Sequence, residues 1–288
     1  MRRSPRVLIV LVAIAVMVGS SVPAQADPGG VHRFVTLPDG PGHPEGIAAD
    51  ADGNIYVATF EFPPAPNRIY VFGHNGRLKA TKDISYSPLG MIVSGGSLWV
   101  ADFGSGDAVR YALPLTAASA EAARIDVCGG AGAGCALNAF AVDASGDLYV
   151  SDSFGGRIFK IDLPAGAVTT FFTHALLQPG SQAFPPFGAN GLAFNAGFSA
   201  LFIANTGDDR ILRLAIVGGA PGALTTFAES VNGADGILFD PQGRLWVAAN
   251  QNDELVALNA NGRVVARRGS FEGIGRDGAP RGLLFPAS

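Results

Sequence analysis

The stretch that decides the fold is Asp235-Gly236-Ile237-Leu238-Phe239-Asp240-Pro241-Gln242-Gly243-Arg244-Leu245-Trp246-Val247-Ala248. It contains a small-residue turn, a short apolar run, a second turn and a strand-like segment. Its first three residues have counterparts about every 45 to 50 residues, at Glu45-Gly46-Ile47, Leu89-Gly90-Met91, Asn138-Ala139-Phe140, Asn190-Gly191-Leu192 and Arg281-Gly282-Leu283. A period of this length predicts a repeat architecture.

The content of each repeat predicts strands. Two further segments follow each of the first five triplets, such as Leu245-Trp246-Val247-Ala248 and Glu254-Leu255-Val256-Ala257, and both are rich in apolar residues of the strand type. Turns such as Asp50-Ala51-Asp52-Gly53 separate the first two strands and suit hairpins. Four short antiparallel strands per repeat indicate an all-β fold, the β-propeller. A solenoid is the runner-up, although its repeats are usually shorter and carry one or two strands.

The number of triplets predicts a six-bladed plan with an incomplete last blade. After Arg281-Gly282-Leu283-Leu284-Phe285 the sequence stops at Ser288, before a second or third strand. Residues 32–37 are predicted to be a fourth strand that closes this blade from the N-terminal side. A truncated product, a ring with a thin blade and a ring completed by a partner are three explanations that the sequence leaves open.

The N-terminal residues 1–26 have the pattern of a secretory signal peptide. Arg2, Arg3 and Arg6 precede an apolar run from Val7 to Val18, and Ala24-Gln25-Ala26 is a small-residue cleavage pattern. An uncleaved anchor is the alternative, but the run is shorter than the roughly 20 residues that span a bilayer. We therefore expect an exported protein without a stable membrane anchor, with residues 27–288 as one β-propeller domain.

The charge of the chain argues against nucleic acid as a partner. The net charge is −4, and loss of the three arginines of the signal peptide makes it −7. Such an acidic chain lacks the basic surface that binds phosphates. A small-molecule substrate is expected, a protein partner is left open, and the oligomeric state is not determined.

The two cysteines predict a disulfide. Cys128 and Cys135 flank six glycine and alanine residues, and they are the only cysteines of the chain. In an exported protein such a pair forms a disulfide more often than a thiol or metal site. The bridge would hold one surface loop.

The starts of the first strands contain the candidate functional residues. In a propeller these strands line the central channel, so equivalent positions form a ring at one mouth. The ring consists of Glu45, Leu89, Asn138, Asn190, Asp235 and Arg281. Four of these are oxygen donors without Cys or His, a set that suits Ca²⁺, or second best Mg²⁺ or Mn²⁺.

A structural role for these side chains is the alternative. A polar residue before a turn glycine commonly hydrogen-bonds the turn backbone. This explanation is common for any single position, whereas four oxygen donors at one repeat position favour a shared site. On the residues alone the two readings stay open.

The motifs Glu45-Gly46, Asn190-Gly191-Leu192-Ala193-Phe194 and Asp235-Gly236, with Asn138 between them, resemble those of the senescence marker protein, gluconolactonase and luciferin-regenerating enzyme family. The resemblance covers nearly the whole chain after the signal peptide. It implies a six-bladed propeller and a calcium- or zinc-dependent hydrolase of lactones or organophosphates. It also implies metal ligation by Glu45, Asn190 and Asp235, with Asn138 touching metal or substrate and Asp235 as base or nucleophile.

The chain departs from the family pattern near Asn138. Many gluconolactonase-like members have Arg two residues before this position and Asp just after it, where this chain has Ala136 and Ala139. Specificity for sugar lactones is therefore not implied. Repeats such as residues 157–162 resemble equally those of non-catalytic binding propellers of the NHL type, so a ligand- or protein-binding propeller is the alternative function.

Two further features bear on the same mouth. His43 lies two residues before Glu45 and is a candidate proton carrier, with simple solvation as the alternative. Residues 173–189 and 60–66 are predicted to overhang the mouth, either as a lid over an apolar pocket or as ordinary loops. The Gly-x-Ser-x-Gly and Walker motifs are absent from the sequence, so triad hydrolysis and nucleotide use have no support.

Overall fold

The computed structural model describes residues 34–40, 42–61, 66–130, 134–180, 186–269 and 287. The described residues form twenty strands and two short 3₁₀ turns, Ala175–Leu177 and Asn250–Asn252. Within these ranges no helix is long and apolar enough to cross a membrane. The predicted all-β class is confirmed.

The strands form five four-stranded antiparallel sheets in chain order. The first sheet contains β1 His43–Ala49, β2 Ile55–Phe60, β3 Asn67–Phe72 and β4 Leu78–Ile84, and the second contains β5 Pro88–Ser94, β6 Ser97–Asp102, β7 Asp107–Ala112 and β8 Ala123–Asp126. The third contains β9 Leu137–Val142, β10 Leu148–Asp152, β11 Arg157–Asp162 and β12 Ala167–Thr173. The fourth contains β13 Ala189–Phe194, β14 Ala200–Asn205, β15 Arg210–Val217 and β16 Ala220–Glu229, and the fifth contains β17 Ala234–Phe239, β18 Leu245–Ala249, β19 Glu254–Leu258 and β20 Val264–Gly269.

The sheets are the blades of a propeller. The first strand of each sheet contacts the first strand of the next, in the order β1, β5, β9, β13 and β17. Buried side chains fill the space between neighbouring blades, as where Tyr56 and Val71 of blade one pack with Val100 and Tyr111 of blade two. The core is therefore divided among the blade interfaces, and the inner strands surround a central channel.

The blade count differs from the six predicted. The described residues form five blades, and within them β17 and β1 are not neighbours as the other inner strands are. The predicted sixth repeat, residues 281–285, lies outside the described residues. Residues 34–37, the described part of the predicted closing strand, are not in a strand.

The hairpin turns between first and second strands form as predicted. In blades one, three and five the turn aspartate accepts a hydrogen bond from the aromatic side chain two residues into the next strand. The pairs are Tyr56 to Asp50, 2.8 Å, Tyr149 to Asp143, 3.2 Å, and Trp246 to Asp240, 2.8 Å. The repeat thus connects each turn to the strand that follows it.

In blades one, two, four and five the glycine after the ring residue lies in a β-bulge, which corrects the predicted turn. The pairing of first and second strands shifts at Pro44/Ile47, Pro88/Met91, Ala189/Leu192 and Ala234/Ile237. A Cβ on Gly46 would lie 2.2 Å from the Leu89 carbonyl oxygen, and one on Gly191 would lie 2.2 Å from that of Asp235. Glycine is needed because neighbouring inner strands approach closely, and the bulge re-aims the adjacent side chain.

The predicted disulfide is present in the structure. Cys128 and Cys135 are bonded, with 6.1 Å between their Cα atoms. The bond closes the loop between β8 and β9, whose residues 131–133 lie outside the described ranges.

Candidate metal and substrate site

The ring residues occupy equivalent positions at one mouth of the channel. In every blade the residue just before the ring position pairs with the end of the second strand. These pairs are Pro44 with Thr59, Pro88 with Asp102, Leu137 with Asp152, Ala189 with Asn205 and Ala234 with Ala249. The structure therefore brings Glu45, Leu89, Asn138, Asn190 and Asp235 to the same level.

In three blades the residue that directly follows the second strand forms a hydrogen bond with the ring side chain. Asn250 Nδ2 donates to Asp235 Oδ2 at 3.0 Å. Asn190 Nδ2 donates to Thr206 Oγ1 at 2.9 Å, and Asn138 Nδ2 donates to Ser153 Oγ at 3.2 Å. Sequence reasoning missed these three partners, although each follows the second strand by the same offset.

Two hydroxyl groups determine which way the ring amides face. Thr206 Oγ1 donates its single proton to the Ala234 carbonyl oxygen at 2.7 Å, and Ser153 Oγ donates to that of Ala189 at 2.7 Å. Each hydroxyl can then only accept from its asparagine, so the amide nitrogen must point at it. The carbonyl oxygens of Asn190 and Asn138 consequently point away from these partners.

Three ring oxygens are buried without a hydrogen-bond partner. They are Oδ1 of Asn138, Asn190 and Asp235, in residues that are 4%, 3% and 4% exposed. Buried polar atoms are nearly always paired, so several such oxygens at one repeat position need an explanation. Hydrogen bonding to a local turn does not supply it, because these atoms make no such bond.

The carboxyl groups of the site have raised pKa values. Burial, and then the charge of Asp235, raise the pKa of Glu45 to about 8. Burial raises the pKa of Asp235 to about 6, although a hydrogen bond from the Asn250 amide opposes the shift. Two carboxylates that act on each other in a buried site are costly to ionise together unless a cation lies between them.

The donor set fits a hard divalent cation. Two carboxyl and two amide side chains offer only oxygen, which calcium, magnesium and manganese prefer. Among the described residues no three His, Cys, Asp or Glu side chains cluster as a metal site, so the set depends on its asparagines. The oxygen-only set favours calcium over zinc.

The other predicted residues contribute differently. Leu89 is buried and apolar at the ring position of blade two. His43 is exposed at the start of β1, where it pairs with Phe60. Arg281 lies outside the described residues.

An apolar cavity of about 420 Å³ continues the channel past the ring. The residues that follow the ring positions line it, and they include Ile47, Met91, Phe140, Leu192 and Ile237. The polar ring therefore borders an apolar channel interior.

Residues 173–180 and 186–189 of the predicted overhang lie within the described ranges. Its 3₁₀ turn buries Leu177, and Asn205 Nδ2 donates to the carbonyl oxygens of Leu176 and Gln178 at 2.9 and 3.1 Å. These described residues are fastened to the end of β14, as in a packed loop.

No protein-family model matches the chain, and no curated protein matches its sequence. Solved structures do match. A gluconolactonase from Xanthomonas campestris is 17% identical with a TM-score of 0.62, and the alignment covers 78% of this chain and 75% of that one. The periplasmic gluconolactonase of Pseudomonas aeruginosa is 21% identical with a TM-score of 0.57, covering 85% and 74%. Regucalcin of Agrobacterium tumefaciens, a calcium-binding protein, is 17% identical with a TM-score of 0.59, covering 79% and 75%.

These matches show that the chain has a β-propeller fold like that of the gluconolactonases and regucalcin. Identities this low concern the fold, because one fold serves many functions. The resemblance drawn from the sequence is confirmed at that level.

Proposed function

We propose that the protein is an exported, divalent-metal-dependent hydrolase of small lactones, esters or organophosphate-like compounds. The observation that carries this proposal is the set of three partnerless oxygens on Asn138, Asn190 and Asp235. A hydrolase with this fold is consistent with the gluconolactonases among its structural neighbours.

Glu45, Asn190 and Asp235 would hold the cation, with calcium first and magnesium, manganese or zinc as alternatives. Asn138 would contact the cation or the substrate. A bound divalent cation would polarise the carbonyl or phosphoryl oxygen of the substrate.

Asp235 is the candidate catalytic residue. Asn250 holds its Oδ2, so the orientation of the carboxyl group is determined and Oδ1 remains available. A carboxylate in this position can take a proton from the attacking water.

A ligand- or protein-binding propeller without catalysis is the second candidate. Leu89 at the ring position and the alanines at 136 and 139 favour it, because they leave the site with fewer charged groups than an enzyme of this type would use. Lack of turnover combined with retained ligand binding would support this alternative.

We also propose export, with cleavage near Ala26. The signal-like N-terminal sequence supports this, as does the disulfide, since disulfides persist in oxidising compartments.

Calcium titration by calorimetry tests the metal site. We expect binding by the parent, none by Asp235→Ala, and unchanged binding by Asp52→Asn, an exposed turn residue. Circular dichroism checks that each variant is folded. The same titration is repeated with magnesium, manganese and zinc. A folded parent that binds none of these cations, calcium included, would overturn the metal-dependent function.

A screen of lactones, aryl esters and phosphotriesters with the cation-loaded parent then tests hydrolysis. Turnover that is abolished by a chelator and restored by the cation would support it.

A further inference from the structure

Four phenylalanine rings form a continuous row, here called the aromatic row, along the mouth of the channel. Phe60 and Phe103 meet edge to face with 6.0 Å between ring centroids. Phe103 meets Phe154 in the same way at 5.8 Å, and Phe154 stacks on Phe187 at 5.6 Å with 8° between the ring planes. The row extends from blade one to the segment that enters blade four.

The repeat positions place the aromatic row beside the ring of oxygens. Phe60 and Phe103 follow the second-strand residues Thr59 and Asp102, which pair with the residues just before Glu45 and Leu89. Blades three, four and five have Ser153, Thr206 and Asn250 at this same position, where they bind the ring side chains. In blades one and two, Phe60 and Phe103 therefore stand where the other three blades have a polar residue that hydrogen-bonds the ring side chain.

The backbone around the row is held in place. Phe103 N–H donates to the Ser87 carbonyl oxygen at 2.9 Å, and Phe154 N–H donates to Asp152 Oδ1 at 3.2 Å. The Phe187 carbonyl oxygen accepts from Gly207 N–H at 2.8 Å. The rings thus belong to an ordered wall across several blades.

Part of this wall is accessible. The Phe154 residue is 42% exposed, although it contacts rings on both sides. Phenylalanine offers no hydrogen bond, so the wall suits an aromatic or other apolar group and gives a sugar hydroxyl no partner.

We propose that the aromatic row is the specificity wall of the site and that the preferred substrate is a lactone or ester with an aryl substituent. The aryl group lies against Phe103, Phe154 and Phe187, while the acyl group faces Asn138, Asn190 and Asp235. This inference rests on the proposed hydrolase function. Hydrolysis breaks the acyl C–O bond, the acyl carbon takes hydroxide from water, and the leaving oxygen takes the remaining proton.

A matched pair of lactones tests the proposal on the calcium-loaded protein. γ-Phenyl-γ-butyrolactone and γ-methyl-γ-butyrolactone share the reacting ring and differ in the substituent. Burial of the phenyl group predicts a kcat/KM at least about 10-fold higher for the phenyl lactone. A ratio near one, or below one, would overturn the proposal.

Variants locate the effect. Phe154→Leu and Phe103→Leu should each lower the phenyl-to-methyl ratio about 5-fold, because each removes one ring contact. Phe198→Leu is the control, since Phe198 is 37% exposed at the opposite ends of the strands and should leave the ratio unchanged. An equal fall in all three variants, or in none, would contradict the assignment.

A binding measurement separates this inference from the hydrolase function. If the parent hydrolyses neither lactone, the affinities of 3-phenylpropanoate and propanoate are compared by calorimetry in calcium buffer. Stronger binding of the phenyl acid, weakened about 5-fold by Phe154→Leu, supports the aromatic row and removes only the hydrolase. Equal or undetectable binding of the two acids overturns the aromatic row itself.

Discussion

The two sides of the channel mouth are built on the same backbone and have opposite chemistry. In blades three to five, an asparagine or aspartate at the bulge is hydrogen-bonded to the polar side chain that directly follows the second strand. In blades one and two the corresponding residues are Phe60 and Phe103. The bulge of blade two carries Leu89, whereas that of blade one carries Glu45, so only the partner position is apolar in both. The repeat thus determines where side chains lie, and local substitution decides whether they are polar or apolar.

The largest expected effect comes from removing the charge of the polar side. Asp235→Asn keeps the shape of the side chain but removes the carboxylate that we propose as base, so kcat/KM should fall at least about 100-fold. Steady-state hydrolysis with saturating calcium measures it. Asp52→Asn is the control, and undiminished turnover by Asp235→Asn would exclude Asp235 as the base.

Placing a polar side chain at the ring position of blade two is expected to destabilise the fold. Leu89→Asn would bury an amide in a blade where Phe103 stands in place of the hydroxyl residue of blades three and four, at a cost of about 2–3 kcal/mol. Adding Phe103→Ser supplies the hydroxyl that blades three and four use. In a double-mutant cycle from urea unfolding, we expect a favourable coupling of about 1 kcal/mol. Strict additivity would show that the two positions do not form such a pair.

Removing the hydrogen bond that orients the Asn190 side chain should lower the calcium affinity. Thr206→Val removes the hydroxyl that orients Asn190, so calcium affinity should fall about 10-fold. Calorimetry measures the change, with Thr225→Val as the control because its exposed hydroxyl bonds only the Arg213 carbonyl oxygen on an outer strand. Equal affinities in the two variants would mean that the hydroxyl does not orient the ligand.

The pH dependence of the cation-free protein is a separate test of the polar side. The pKa of Glu45 rises from 4.5 to about 8, so between these values the folded state keeps a proton that the unfolded chain releases. The free energy of unfolding should therefore fall as pH rises from about 4.5 to about 8. Urea unfolding in chelator across this range measures the slope, which Glu45→Gln should reduce. A slope of the opposite sign would contradict the assigned shift.

Added calcium should change that pH dependence. Because the cation binds the ionised carboxylates, its affinity should increase over the same pH range. Titrations at two pH values check this. An affinity that falls with rising pH would argue against carboxylate ligands.

Much of the fold could be predicted because its signals are local. The period of the triplets, the strand composition and the Asp-to-Gly turns lie within single repeats, and the structure confirms blades with these hairpins. The interpretation of Gly46 and Gly191 as turn residues was wrong. These positions need glycine because a carbonyl oxygen of the next blade leaves no room for a Cβ atom. A contact between blades is not visible in a local sequence pattern.

The candidate site divides in the same way. Glu45, Asn138, Asn190 and Asp235 could be selected by repeat position, and they do meet at one mouth. The aromatic row was found only in part, because residues 60 and 187 were noticed as loops while Phe103 and Phe154 were not. Alignment of the residues that follow each second strand would have revealed Phe103.

The sequence by itself determined the propeller repeat, the ring positions and the cysteine pair, because each is a short-range pattern of residue types. Only the tertiary structure decided which oxygens are left without a hydrogen-bond partner. The reason is that Ser153 and Thr206 each donate their proton to the next blade, 36 and 28 residues further along the chain. Each hydroxyl can therefore only accept from its asparagine, so the amide nitrogens of Asn138 and Asn190 point at Ser153 and Thr206 and their oxygens have no hydrogen-bond partner.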